Sequence, residues 1–239
     1  MSLCIITSAV TVKSKYVAIQ DSIIREHEYI TAISKLLNIS ALSSVIICDN
    51  TMYNYNNNPV FKDLVTKSKI NIEVLYFQGS NKEIYEYGKG YGEGEIMKFI
   101  FDNSKLITNY SSFYKITGRL HVENFDYVIK KSLNQSTLFV RTAFSLNYER
   151  NFIKTFFYKM DVELFKEKFI NQYLKVRDDE NIFLEHIYFN TICENKIEIN
   201  FFKAFPNVIG VSGSTGGLYT KNFFLKFLVN KIYSFLNIK

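Results

Sequence analysis

The sequence predicts an α/β fold, a mostly parallel central sheet flanked by helices with a C-terminal helical extension, and three observations lead there. Short continuous apolar runs alternate with amphipathic stretches through the first 140 residues, the order of successive βαβ units. Each of the first three runs stops at polar residues: Thr7-Ser8, Asp49-Asn50 and Gln78-Gly79-Ser80. Four of the ten glycines fall at alternate positions, 88, 90, 92 and 94, just before another amphipathic run, which reads as a turn opening a helix.

Leu3 to Thr7 is uniformly apolar up to its last residue, as expected of a strand covered on both faces. Asp21 can cap a helix whose apolar positions Ile23, Ile30, Ile33 and Leu37 recur at helical spacing. Val45 to Cys48 and Ile72 to Phe77 supply two more buried strands. The segment Tyr53 to Pro59 is an Asn-rich loop. Ile96, Phe99, Ile100 and Leu106 form a helical stripe after the glycines, and Ser112 to Ile116 forms a fourth strand. Beyond the short turn Leu133–Ser136, the sequence predicts a strand over Phe152 to Tyr158 and a helix from Asp161 to about Tyr173. A charged turn over Arg177 to Asn181, a helix capped by Asn181 and running to Cys193, and a strand over Ile197 to Phe202 follow. Gly210 to Gly217 is a second loop rich in glycine and serine, and Asn222 to Leu236 is a last helix. The expected organisation is one domain, with residues 1–140 the ligand-binding half and 141–239 the acceptor and catalytic half.

Composition narrows the function classes. The chain has 239 residues, 47% hydrophobic and 16% aromatic, enough for a continuous core. No stretch approaches the roughly 20 uninterrupted apolar residues of a membrane span. Met1 to Val10 enters an apolar strand without a basic leader, so a cytoplasmic location is expected. Cys4, Cys48 and Cys193 sit far apart in apolar runs and read as reduced core thiols. His27, His121 and His186 have no metal-ligand spacing. Lysine and arginine exceed aspartate and glutamate by 29 to 23, which favours an anionic partner, but the lysines are scattered and nucleic acid is not expected.

On an extended strand Lys115, Thr117 and Arg119 point the same way. Two cations on one face beside Gly118 suit a diphosphate or carboxylate, because a guanidinium grips oxyanions bidentately; an edge strand with snorkelling cations is the plainer alternative. The glycine segment matches neither the dinucleotide fingerprint nor the phosphate loop. Glu93 and Glu95 suit the first turn of a helix better than a phosphate. Glu185 shares a helical arc with Ile182, Tyr188, Phe189 and Ile192, which aims a carboxylate into apolar surroundings, as a general base requires; a structural carboxylate would look the same. His186 is the alternative base. Ser212 and Ser214 could present hydroxyls and backbone N–H groups to a phosphate, as could a plain surface turn. Asp178-Asp179-Glu180 reads as a solvated charge run.

Taken together, Ile5-Ile6-Thr7-Ser8, Gly88-Lys89-Gly90-Tyr91-Gly92-Glu93 leading into Ser104-Lys105-Leu106, and Phe113-Tyr114-Lys115-Ile116-Thr117-Gly118-Arg119 resemble bacterial surface-polysaccharide glycosyltransferases of the GT-A type. A helix containing Leu184-Glu185 and the late Gly210-x-Ser212-Gly213-Ser214 loop extend the likeness. It implies a GT-A-like, Rossmann-like fold, a nucleotide-sugar donor and a glycan or lipid-linked glycan acceptor of lipopolysaccharide or capsule assembly. Thr7, Ser8, Asp49, Lys89, Gly90 and Gly92 would hold the nucleoside end, and Lys115, Gly118 and Arg119 would face the phosphates. Many such enzymes bind a divalent metal through an Asp-x-Asp motif after the fourth strand. Thr117-Gly118-Arg119-Leu120 stands there in this chain, so neither metal nor other cofactor is expected. A nucleotidyltransferase-like enzyme and a non-catalytic carbohydrate- or nucleotide-binding domain are the alternatives. Lys221 to Lys239 interleaves phenylalanines with lysines, a pattern that suits either an anionic membrane surface or a helix packed on the core.

Overall fold

A computed structural model of the chain describes residues 1–12, 17–141, 151–213, 216–219 and 228. Its centre is a six-stranded sheet. Strand β1 (Leu3–Ser8), helix α1 (Ser22–Leu37), β2 (Ser44–Asp49), α2 (Pro59–Lys67), β3 (Asn71–Tyr76), α3 (Asn81–Tyr87), α4 (Lys89–Asn103) and β4 (Ser112–Thr117) succeed one another in the expected alternation. After them come β5 (Leu120–Val122), α5 (Phe125–Lys131), β6 (Leu138–Phe139), β7 (Phe157–Asp161), α6 (Val162–Leu164), α7 (Leu184–Glu194) and β8 (Val208–Gly210). The sheet order is β3-β2-β1-β4-β7-β6. The first four of these are parallel, whereas β7 and β6 are antiparallel additions. β5 and β8 form a separate antiparallel pair.

β1 and β2 are buried at every position, so both faces of the sheet are covered. Cys4 and Ile6 point to the side packed by Tyr29, Ile33 and Leu36 of α1 and by Phe125 and Val128 of α5. Leu3 and Ile5 point to the side packed by Ile96, Met97 and Ile100 of α4 and by Leu184 and Tyr188 of α7. Uniform apolarity is what a strand sandwiched between helices requires. The carboxyl ends of β1, β2, β3 and β4 therefore collect at one edge.

Several expectations are corrected. The glycine segment is not a flexible turn, because Gly90, Gly92 and Gly94 lie within α4 and only Gly88, at φ 101°, takes a conformation that favours glycine. α2 and α3 were not expected at all. The Asn-rich stretch is ordered by its own side chains: Asn54 caps a 3₁₀ turn at Tyr55–Asn57, and Asn58 caps α2. Asp161 does cap a helix, but this runs three residues before widening into a π turn at Phe165–Phe169. α7 starts at Leu184; Asn181 is left-handed, φ 60°, and closes a preceding 3₁₀ turn. Ile197 to Phe202 is no strand; Phe201 makes a single bridge to Phe139. Cys4 and Cys48 are buried thiols whose pKa burial pushes well up, whereas Cys193 is exposed. Among the described residues no helix is long and apolar enough to cross a membrane. The expected helix from Asn222 to Leu236 and its membrane role lie outside them, apart from the single position Leu228.

Candidate functional site

A cleft of about 1090 Å³ opens beyond the carboxyl ends of the parallel strands. Thr7 and Ser8 reach it from β1, Asn50 from the end of β2, Gln78 from the end of β3, and Thr117 and Arg119 from the end of β4. Lys89, Gly90, Gly92 and Glu93 of α4 form one side with Leu184 and Glu185 of α7. Arg25 and Tyr29 of α1 form the other, with Ser212 and Gly213 of the late loop. Thr155, Phe156 and Tyr219 close the remaining wall; the Phe156 and Tyr219 rings meet at 4.8 Å, tilted by 60°. The wall thus contains most of the expected residues, whereas Asp49, Lys115, Gly118 and His186 lie off it.

Asp49 is fully buried and absent from the wall. Its carboxylate accepts hydrogen bonds from Ser8 Oγ (2.7 Å), Val10 N (3.0 Å), Thr51 N (2.7 Å), Thr51 Oγ1 (2.6 Å) and Tyr53 N (3.3 Å). It ties together the loops that follow β1 and β2. Gly118 also acts locally: its N–H donates to Thr7 O at 2.9 Å, and a Cβ there would lie 2.6 Å from that oxygen. The absent side chain lets β4 turn tightly against β1.

That turn separates the two cations expected to act together. β4 ends at Thr117, so the alternation of side chains stops before Arg119. Lys115 is fully buried on the α4 side, where its ammonium donates to Glu93 Oε1 (2.5 Å), Thr117 Oγ1 (3.0 Å) and Thr155 O (3.0 Å). Burial lowers its pKa, and the Glu93 carboxylate opposes that shift. Arg119 instead turns to the α1 side and donates from Nη1 to Glu28 Oε2 at 2.7 Å.

Glu185 is half-buried on the cleft wall, and its Oε1 accepts from Thr155 Oγ1 at 3.0 Å. Lys115 donates to the carbonyl of the same threonine, so one residue links the two carboxylates Glu93 and Glu185. His186 does not reach the wall. Its Nδ1 accepts from Phe183 N at 3.3 Å and its ring stacks on Phe183 at 5.5 Å, which caps α7. Ser212 is on the wall; Ser214 lies outside the described residues.

Asp178 overturns the reading of a solvated charge run. It is 8% exposed and packs on Gly88, where a Cβ would lie 2.2 Å from its Oδ2. Oδ2 accepts from Gly90 N at 3.4 Å at the start of α4, while Oδ1 has no hydrogen-bond partner among the described residues. Burial pushes its pKa up to about 6 against the pull of that N–H.

Sequence reasoning missed Arg25, Glu28, Glu93 and Asn50. Arg25 was legible: with Tyr29, Ile33 and Leu36 it falls on the buried arc of α1, an unusual place for a cation. Every nitrogen of its guanidinium is engaged, Nε and Nη2 on Ala9 O, Nη1 on Ile19 O at 3.0 Å, and Nη2 also near Tyr29 Oη. Among the described residues no three His, Cys, Asp or Glu side chains group as metal ligands. The end of β4, where the resemblance would place a metal, offers a guanidinium, which cannot ligate a cation.

No protein-family model matches the chain and no curated protein matches it. Solved structures do. The glycosyltransferase GlyE of Streptococcus pneumoniae TIGR4 matches with a TM-score of 0.51 at 10% identity, over 84% of this chain and 44% of its own. A 4-diphosphocytidyl-2C-methyl-D-erythritol synthase from Anaerococcus prevotii DSM 20548 gives 0.48 at 9% identity, over 98% and 96%. The bifunctional glycosyltransferase WbbM gives 0.47 at 12%, over 97% and 44%. This chain thus spans less than half the length of GlyE and of WbbM. At such identities the match to GlyE shows a shared GT-A-like α/β fold.

Proposed function

We propose that the protein transfers a glycosyl unit from a nucleotide sugar to a hydroxyl of a surface glycan such as a lipopolysaccharide or capsule intermediate. A fold alone does not carry an activity, so the reading rests on the site. In open α/β sheets ligands bind beyond the carboxyl ends of the strands, where this cleft lies. What supports glycosyl transfer there is the opposition of two unlike groups across one cleft: the Arg119 guanidinium on the α1 side and the Glu185 carboxylate on the α7 side. A departing nucleotide needs the first, and an acceptor hydroxyl needs the second.

In this reading Glu185, oriented by Thr155 Oγ1, takes the acceptor proton as the hydroxyl oxygen attacks the anomeric carbon. The bond to the nucleotide phosphate breaks, and Arg119 stabilises the charge that develops on the leaving oxygen. Thr7, Ser8, Lys89, Gly90 and Gly92 border the part of the cleft proposed for the nucleoside. Lys115 acts indirectly, by holding Glu93 and the backbone of Thr155. No step is assigned to a metal. A lipid-linked acceptor would be met at an anionic membrane surface, for which the lysines and phenylalanines of residues 221–239 are suited.

Ligand-induced thermal stabilisation across UDP, GDP, CMP and their sugars, with and without Mn²⁺, tests the reading, because a ligand bound only by the native state raises Tm. One nucleotide series should stabilise the protein without Mn²⁺. A flat response to every nucleotide would refute it.

A further inference from the structure

We infer that Arg119 and Gly213 form the seat of a ligand oxyanion, a phosphate or carboxylate held side-on, and that Glu28 is the positioning residue that sets the guanidinium for it. Only the identity of the anion rests on the nucleotide-sugar reading.

Among the described residues three cations are buried at this end of the sheet, and in two of them every nitrogen has a partner. Lys115 has a partner for each of its three protons, and every nitrogen of Arg25 donates to a carbonyl. Arg119 is 5% exposed yet makes one hydrogen bond among the described residues, from Nη1 to Glu28. A guanidinium has five donors, and the Nε and Nη2 donors of Arg119 are not sealed from solvent. Those of Nε and Nη2 form the edge that matches two oxygens in parallel. Arg119 lines the cleft, so a ligand there can reach that edge.

Gly213 leaves the room. A Cβ on it would lie 3.1 Å from Arg119 Nη2, within the space an oxygen partner needs. Backbone bonds anchor Ser212 and Gly213, Ala18 N to Gly213 O at 3.2 Å and Ser212 N to Gly217 O at 2.8 Å. Glu28 grips Nη1 from α1, a rigid support, and so leaves Nε and Nη2 for a ligand in the cleft that Arg119 lines.

The test uses the full chain, with inorganic pyrophosphate and glucuronate as separate probes, read by thermal shift and calorimetry. At least one of them should stabilise the wild type, and Arg119→Lys, which keeps the charge but loses the fork, should bind it roughly tenfold more weakly. Gly213→Ala should weaken it similarly. Glu28→Gln can still accept from Nη1 and should retain binding, whereas Glu28→Leu should lose severalfold; ligand-free melts establish that each variant is folded. Stabilisation by glucuronate alone supports the seat and identifies a sugar carboxylate as its occupant. Equal anion binding by wild type and Arg119→Lys, or by Glu28→Leu and wild type, overturns the inference, as does indifference of the wild type to both anions. Nucleotide binding that survives Arg119→Lys unchanged would sink the seat and leave the nucleotide reading standing. Arg119-dependent anion binding without any nucleotide binding would do the reverse.

Discussion

Lys115 Nζ lies 2.5 Å from Glu93 Oε1, an ion pair in which the lysine is completely buried and the glutamate is 22% exposed. Taking a lysine this far out of water is expensive, and only the carboxylate and the two neighbouring oxygens make it tolerable. Lys115→Met should therefore destabilise the protein by about 3 kcal/mol, the lower end for a broken buried pair, because Glu93 keeps some access to solvent. Lys115→Met combined with Glu93→Gln should recover part of that loss. Urea denaturation of both variants measures it, and a double variant no more stable than the single one would show that the pair is not coupled.

Asp178 gives the protein a specific acid dependence. Its folded pKa of about 6 lies above the ordinary 3.8, so the native state holds a proton that the unfolded chain has released. The associated stabilisation is fully present below about pH 4 and is lost as pH rises through 6. Asp178→Asn removes that slope. Thermal melts from pH 4 to 8 should show the variant gaining on wild type as pH rises from about 4 to 6 and keeping that gain above it, by on the order of 1–2 kcal/mol. A constant difference across the range would contradict the assignment.

Two glycines of α4 should respond oppositely to the same change. Alanine in a helix is favoured over glycine by about 1 kcal/mol. At Gly94 a Cβ would fall 2.0 Å from Tyr173 Cβ, an atom with no freedom to swing away. Overpacking of this kind costs about 1–3 kcal/mol or more, so Gly94→Ala should be clearly destabilised. At Gly92 the contacts are side-chain ends at 3.2–3.3 Å, and Gly92→Ala should be near neutral in the same melts.

Glu185→Gln should largely abolish glycosyl transfer while leaving nucleotide affinity nearly intact, since a base acts in the transition state more than in donor binding. Turnover and nucleotide Kd, measured on one preparation, separate the two. Near wild-type turnover would remove Glu185 from the chemistry.

Excess EDTA should leave activity in place, because the end of β4 presents Arg119 where acidic ligands would stand. Arg119→Ala should weaken nucleotide binding by about 2 kcal/mol, as for a lost charge-assisted bond. Activity lost on chelation and restored by Mn²⁺ or Mg²⁺ would reveal a metal site.

β1 and β2 were legible because burial on both faces leaves a continuous apolar run, a signal held within five or six residues, whereas β3 lies at the sheet edge and is only half-buried, not the buried strand expected. The glycine helix was not, because its cause is tertiary: Gly94 accommodates Tyr173 and Gly90 accommodates Leu184, far along the chain. Propensity argued for a turn, and close packing overrode it. Lys115 was placed on the correct strand but given the wrong role, since nothing near it in sequence marks Glu93 and Thr155 as its partners. Asp178 read as solvated because two more acids follow it. Glu185 was placed on the cleft wall by an apolar arc of which Tyr188, Phe189 and Ile192 do fall in α7, whereas Ile182 precedes the helix and is exposed.

The position of β1 has a consequence for synthesis. Leu3–Ser8 is synthesised before either of its sheet neighbours, and one of them, β4, begins only at Ser112. At typical elongation rates that interval is roughly 5–20 seconds, during which Leu3 to Ile6 can have one neighbour at most, β2. The most apolar strand of the sheet therefore waits with an open edge, and nascent chains should depend on a holding chaperone more than the finished protein's stability would suggest.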